Sequence, residues 1–205
     1  MKKKFNSVQE AISFYESYFA PSLLHELDLC CKAVRSPTAN DEEKAEAVLM
    51  ASSHQWHLIR KPRAKAVIIA VLAKEKLWER TYEDFEDVYS VVSAAIGKLD
   101  QAGLLTLYDV AKRIGYSCGV EPKAYVYLHS GALTGAKNLF GNGKLSCRTM
   151  ERERFEKLLP GLSALHIENF LCIMKSFFVD GKFNPDAEII VKGCKPGSSS
   201  CGCGG

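Results

Sequence analysis

A chain of 205 residues with 47% hydrophobic and 25% charged content is long enough to bury a core and too apolar to be an intrinsically disordered segment. It fits one domain, or one with two lobes. A formal net charge of +3 permits nucleic-acid binding through a local patch without arguing for it. Met1-Lys2-Lys3-Lys4 is followed by an amphipathic pattern rather than a continuous apolar core, and no apolar run reaches membrane-spanning length. The expectation is a cytoplasmic protein that does not enter a membrane. Of the eight cysteines, Cys30, Cys31, Cys118, Cys147 and Cys172 are scattered and read as core or surface thiols.

The first helix starts at a capping box, Ser7 with Glu10, and runs to about Phe19. Pro21 opens a second helix to about Val34, with Leu23, Leu24, Leu27 and Cys30/Cys31 on its buried face. Residues Ser36 to Asn40 form a loop, and Asn40 with Glu43 caps a third helix. His54 and His57 stand three apart, a spacing that suits metal ligands or plain core and surface histidines. The densest basic cluster runs from Arg60 to Lys65 and reads as a phosphate contact or a solvated helix start. An apolar helix from Ala66 to Leu77 is expected to be central. Thr81 with Asp84 is expected to cap the next helix.

Phe85, Val88, Tyr89, Val92, Ala95 and Ile96 repeat at helical spacing, and so do Leu104, Leu107, Tyr108, Ala111 and Ile114. Between them lies Leu99-Asp100-Gln101-Ala102-Gly103. Two helices joined by a short glycine-bearing turn are a helix-hairpin-helix pattern. The second of these helices ends at Gly119 to Pro122. A short apolar stretch, Ala124 to Leu128, leads to a helix from Ser130 to Leu139 and a turn at Phe140 to Lys144. An amphipathic helix is expected over Glu151 to Leu159, ended by Pro160-Gly161. The last helix carries Ile167, Phe170, Leu171, Met174 and Phe177/Phe178 on one stripe. Val179 to Val191 reads as loop or a short extended piece.

The segment from Phe85 to Phe178 resembles the helix-hairpin-helix DNA glycosylases, the superfamily that includes endonuclease III and 8-oxoguanine glycosylase-like proteins. The family reads roughly L-P-G-V-G-x-K-T-A, then a helix, V-D-T-H and another helix. Leu99, Gly103 and Thr106 stand at the leucine, second glycine and threonine. Val126 and His129 stand at the valine and histidine of V-D-T-H. Downstream, a helix ending in proline precedes one starting near a histidine, here His166. The resemblance implies an all-α, helix-hairpin-helix glycosylase-like fold. Its turn would offer backbone N–H groups to a DNA phosphate at Gln101, Gly103 and Thr106, with charge added by Lys112 and Arg113. Tyr127 and His129 would line the family's cleft as a base-stacking and a hydrogen-bonding group.

The departures are at the reacting groups. Tyr127 occupies the place of the catalytic aspartate and Leu105 that of the lysine nucleophile, while Gln101 and Asp100 replace the first glycine and the proline. A tyrosine is neutral at pH 7 and does not stabilise an oxocarbenium-like centre as a carboxylate does. A leucine forms no Schiff base. Any catalysis would fall to His129 or to a displaced carboxylate such as Asp109.

The C-terminal tail is rich in glycine, serine and cysteine. Cys194, Cys201 and Cys203 match the first spacing of the cluster-binding cysteines that end endonuclease III; the second spacing is one residue short and the fourth cysteine is absent. The tail reads as flexible, as a ligand set for an iron–sulfur cluster with Cys172 or Cys147 supplying the fourth thiolate, or as a three-cysteine zinc or copper site. Its terminal Gly204-Gly205 also suits conjugation. The expected organisation is an N-terminal helical part over residues 1–80, a glycosylase-like part over 81–178 and the tail over 179–205. The expected function is a nucleic-acid-binding or base-recognising protein without standard glycosylase activity. The alternatives are a nucleobase-processing enzyme with non-standard residues, and a non-catalytic protein-interaction module of the kind some defence operons carry.

Overall fold

A computed structural model describes residues 2–50, the side chain of Met50 excepted, and residues 61–191. His54, His57, Arg60, Cys194, Cys201 and Cys203 lie outside the described residues. The described chain is mostly helical, as expected, with strands of only two or three residues. No helix among the described residues is long and apolar enough to cross a membrane.

The chain folds as two compact units that cut across the expected boundaries at 80 and 178. A terminal unit holds residues 2–22 and 122–191; a hairpin unit holds residues 23–50 and 61–121. Both chain-distant parts of the terminal unit meet through pairings that no local pattern announces. Strand β1 (Lys2–Lys3) pairs antiparallel with β6 (Ile189–Ile190). The Phe5 ring lies 5.1 Å from that of Phe177.

In the terminal unit, α1 (Val8–Tyr18) starts where the Ser7 hydroxyl accepts from the Glu10 N–H at 3.2 Å. The Glu10 carboxylate turns back onto the Asn6 N–H at 2.9 Å, so the box closes one residue earlier than the usual pattern. Strand β2 (Tyr125–Tyr127) precedes α7 (Ser130–Phe140) and pairs antiparallel with β3 (Thr149–Glu151). Arg152 N–H donates to the Ala124 carbonyl at 2.8 Å and extends that ladder. This pairing shortens the helix expected over Glu151 to Leu159 to α8 (Glu153–Glu156). Ser163 caps α9 (Ala164–Ile173). A hairpin of β4 (Phe178–Val179) and β5 (Lys182–Phe183) turns at Asp180 and Gly181, both with positive φ, 48° and 77°, as a two-residue β-turn requires.

Helices α7 and α9 pack closely because α7 presents glycine. A Cβ placed on Gly135 would run into the Leu171 carbonyl, and one on Gly131 would sit 2.5 Å from Cys172 Sγ. The core around them holds Val126, Leu128, Phe155, Phe170, Met174 and Phe178.

In the hairpin unit, α2 (Ala20–Arg35), which begins in the terminal unit, is followed by α3 (Asp41–Met50). Asn40 and Glu43 cap α3 reciprocally at 2.8 and 3.0 Å. Helix α4 (Pro62–Glu75) starts four residues before the expected Ala66, because proline at the first helical position is already set for the turn. It is not central: Ala64, Ile68 and Leu72 are buried, but Val67 is 43% exposed. Asp84, not Thr81, caps α5 (Phe85–Ile96), accepting from Asp87 N–H at 2.9 Å. The surrounded helix is α6 (Leu104–Ser117), buried continuously from Leu107 to Gly115. It stops in a full Schellman motif: Val120 N–H donates to Gly115 O at 2.8 Å and Gly119 N–H to Tyr116 O at 3.1 Å, with Gly119 at φ 77°.

Gly135→Ala should destabilise the protein by about 1–3 kcal/mol, since α7 must move off α9 to admit a methyl group. Gly143, which has open space around it, is the control. Urea midpoints of Gly135→Ala and Gly143→Ala check this, with a fall expected only for the first.

Candidate nucleic-acid interface

The turn between α5 and α6 forms as the spacing predicts. Leu99 N–H donates to Ile96 O at 3.0 Å and Ala102 N–H to Leu99 O at 3.2 Å. Gln101 takes the left-handed conformation, φ 66°; a side chain there costs about 1 kcal/mol. The Thr106 hydroxyl reaches back to Gln101 O at 3.5 Å and closes the turn. Gly103 is the N-cap of α6 with φ −71° and ψ 172°, a conformation open to any residue. Nothing lies within 4 Å of a Cβ placed on it. Neither backbone strain nor packing therefore calls for glycine at this position. No side chain among the described residues caps the helix. The first N–H groups of α6 have no intrahelical acceptor and point outward with the positive end of the helix dipole.

Lys61, from the basic cluster of the sequence, meets this turn. Lys61, the N-cap of α4, donates its backbone N–H to Gln101 Oε1 at 3.4 Å, and its Nζ lies 3.2 Å from Asp100 Oδ2. Asp100, whose negative charge would oppose a phosphate at the turn, thus carries its own counter-ion. Both partners are well exposed, 64% and 68%, so the pair is weak and exchangeable. Helix α4 also starts without a side-chain cap, and Arg63 beside it is exposed.

Lys112 and Arg113, expected to add charge at the turn, do not stand on the surface. Both lie in the buried middle of α6, 7% and 0% exposed. Arg113 Nη1 donates to Val48 O at 3.0 Å and Nη2 to Glu26 Oε1 at 2.8 Å. Its cation sits against the last carbonyls of α3, where a positive charge is favoured. Lys112 Nζ bonds Asp109 Oδ1 at 3.0 Å and lies 5.2 Å from the centre of the Tyr108 ring. Asp109 is itself 7% exposed and serves as that lysine's counter-ion. Next to Arg113, burial pushes the Cys30 thiol up to about 11, against the opposing pull of the guanidinium.

Tyr127 and His129 belong to the terminal unit and are each 6% exposed. Tyr127 closes β2 opposite Thr149. His129 is the N-cap of α7, and its Nε2 lies 3.9 Å from Glu168 Oε1 on α9. Glu168 is 5% exposed. Burial, with the Glu168 carboxylate adding to it, pushes the Tyr15 phenol up, and Tyr15 Oη bonds His166 Nδ1 at 3.0 Å. Sequence reasoning missed Glu168. Its signal was a carboxylate at helical spacing from Ala164 and Leu171, inside an apolar stripe. The structure thus brings Gln101, Gly103 and Thr106 together at the turn and joins His129 to Glu168. Among the described residues no cluster of three or more His, Cys, Asp or Glu side chains fits a metal ion.

Comparison with protein-family models, with curated proteins and with solved structures gives no match.

Two outcomes follow from the α6 interior. Arg113→Met removes the cation and leaves Glu26 and the α3 carbonyls unpaired, so it should cost about 3–5 kcal/mol in chemical denaturation. Cys30 is protonated in the fold below about 11, while the unfolded chain ionises it from its ordinary value of 9.0. The unfolded state then holds fewer protons, so this contribution to stability is full below 9.0 and is lost as pH rises toward about 11. The decline in stability over that window, measured by urea unfolding, should be shallower in Cys30→Ala.

Proposed function

We propose that the protein binds nucleic acid through the α5–α6 turn, taking a backbone phosphate on the N–H groups that open α6. The observation that supports this most is Gly103. A glycine stands at a helix start where the fold demands none, leaving the amides of Leu104, Leu105 and Thr106 open to an anion. Lys61 and Arg63 beside the turn supply mobile positive charge, and counter-ion release on binding makes the affinity fall with salt. The contact is to the phosphate backbone, so it carries affinity rather than sequence choice. The resemblance to helix-hairpin-helix glycosylases agrees with this reading. The place of Tyr127 and Leu105 where that family holds its reacting groups favours binding without glycosylase or lyase chemistry.

A second reading is a nucleobase-processing enzyme that uses His129. It is favoured by the buried imidazole of His129 and carboxylate of Glu168, 3.9 Å apart, since groups of these two kinds are the ones that move protons in general acid–base catalysis. Release of a base from oligonucleotides carrying damaged bases is the readout that separates the two readings.

Gly103→Asp is the sharpest variant for the first reading. Aspartate is a preferred N-cap, so the helix should hold or gain stability while the new carboxylate takes the place of the phosphate. Fluorescence anisotropy with a labelled duplex across a salt series should show at least a tenfold weaker Kd for Gly103→Asp, about 1.4 kcal/mol. Lys61→Glu should weaken binding and flatten the salt slope. Unchanged binding in both variants would remove the turn as the contact.

A further inference from the structure

Beyond the turn, the other end of α6 carries a pair of thiols that the nucleic-acid reading does not use. On α2, Asp28, Cys31 and Arg35 share one helical face. Two of the three are anchored to the end of α6. Asp28 Oδ1 accepts from Tyr116 Oη at 2.8 Å, and Arg35 Nη2 donates to Ser117 O at 2.7 Å. Cys31 lies between these anchors on the same face of the helix, so its thiol faces the last turn of α6. Cys118 is the residue that ends that turn, with Sγ 3.7 Å from Trp78 O. The neighbouring Cys30 lies within reach of the Ser117 hydroxyl.

Cys31 and Cys118 are both part-exposed, whereas Cys30 is buried. Burial pushes the Cys118 thiol up, Arg35 pulls against it and a thiolate at Cys31 pushes further, as two nearby sulfurs would. The two thiols fall short of a metal site, since no cluster of three ligand-type side chains fits an ion among the described residues.

We propose that Cys31 and Cys118 are a redox-active dithiol, closed into a protein disulfide by a low-molecular-weight disulfide such as oxidised glutathione. The Cys31 thiolate attacks one sulfur of the oxidised glutathione. The S–S bond breaks, and one glutathione leaves as a thiolate that takes up the proton Cys31 has lost. The Cys118 thiolate then attacks the Cys31 sulfur of the mixed disulfide and releases the second glutathione, which takes up the Cys118 proton. The protein loses two electrons and two protons, and one glutathione disulfide becomes two thiols. The product ties α2 to the end of α6 and constrains the unfolded chain across the intervening loop.

The test uses the full chain in buffers of graded oxidised to reduced glutathione. Each sample is quenched with N-ethylmaleimide, digested without reduction and mapped by mass spectrometry. The expected product is a Cys31–Cys118 linked peptide pair, lighter than the reduced pair by two hydrogens and restored by dithiothreitol. The oxidised protein should also unfold at higher urea than the reduced one. Cys31→Ser and Cys118→Ser should each abolish the pair and leave glutathione on the remaining cysteine. The wild-type map does not depend on how well either variant folds. A Cys30–Cys118 link, a Cys30–Cys31 link, stable glutathione adducts on both residues, or no oxidation of either would each overturn the proposal.

Discussion

The hairpin unit is organised around the buried guanidinium of Arg113. A charge taken fully out of water is costly unless every direction is answered. Here Glu26 on α2 and the carbonyls of Val48 and Leu49 at the end of α3 answer its two Nη groups, while the buried Nε has no hydrogen-bond partner among the described residues. One side chain therefore ties α2, α3 and α6 to a common point. It also fixes how far α6 is rotated and how far it slides, because the guanidinium's planar fork tolerates little displacement. Asp109 and Lys112, a turn earlier on the same helix, form a second buried pair. A helix held in this way is a rigid rod with one wet end.

That wet end is the turn. The constraints that bury α6 from Leu107 onward leave Leu104 43% exposed and the first amides uncapped. Gly103 keeps the approach open, and Gln101 accepts a left-handed backbone so that the chain can reverse within the seven residues between α5 and α6. Lys61 brings the start of α4 to the same place and neutralises Asp100. The hairpin thus joins a rigid support to a helix end that no described side chain caps, the arrangement on which the proposed phosphate contact rests. At the opposite end of α6, Tyr116 and Ser117 bond to α2, and Cys31 and Cys118 stay part-exposed.

Local signals in the sequence located most helices. Ser7 with Glu10, Asn40 with Glu43 and the apolar spacing around the Leu99–Gly103 break each act within a few residues, and each stands where the pattern puts it. Signals that depend on distant partners were not legible. Strands β1 and β6 form only because opposite ends of the terminal unit pair, and β3 takes Glu151, which by period alone belongs to a helix. Lys112 and Arg113 read as surface charge because lysine and arginine almost always are; only the packing of other helices around α6 encloses them. The reverse holds for Val67 in α4, apolar yet exposed. At the candidate site, the turn itself was readable, whereas the role of Lys61 and the partnership of His129 with Glu168 needed three-dimensional proximity.

Residue-resolved amide hydrogen exchange, with and without duplex DNA, tests the central claim most directly. The account predicts that the amides from Tyr108 to Ile114 exchange only through global unfolding, that those of Leu104, Leu105 and Thr106 exchange fast in the free protein, and that DNA slows these three selectively. Slow exchange at Leu104 to Thr106 in the free protein, or DNA protection that falls elsewhere and spares them, would contradict it.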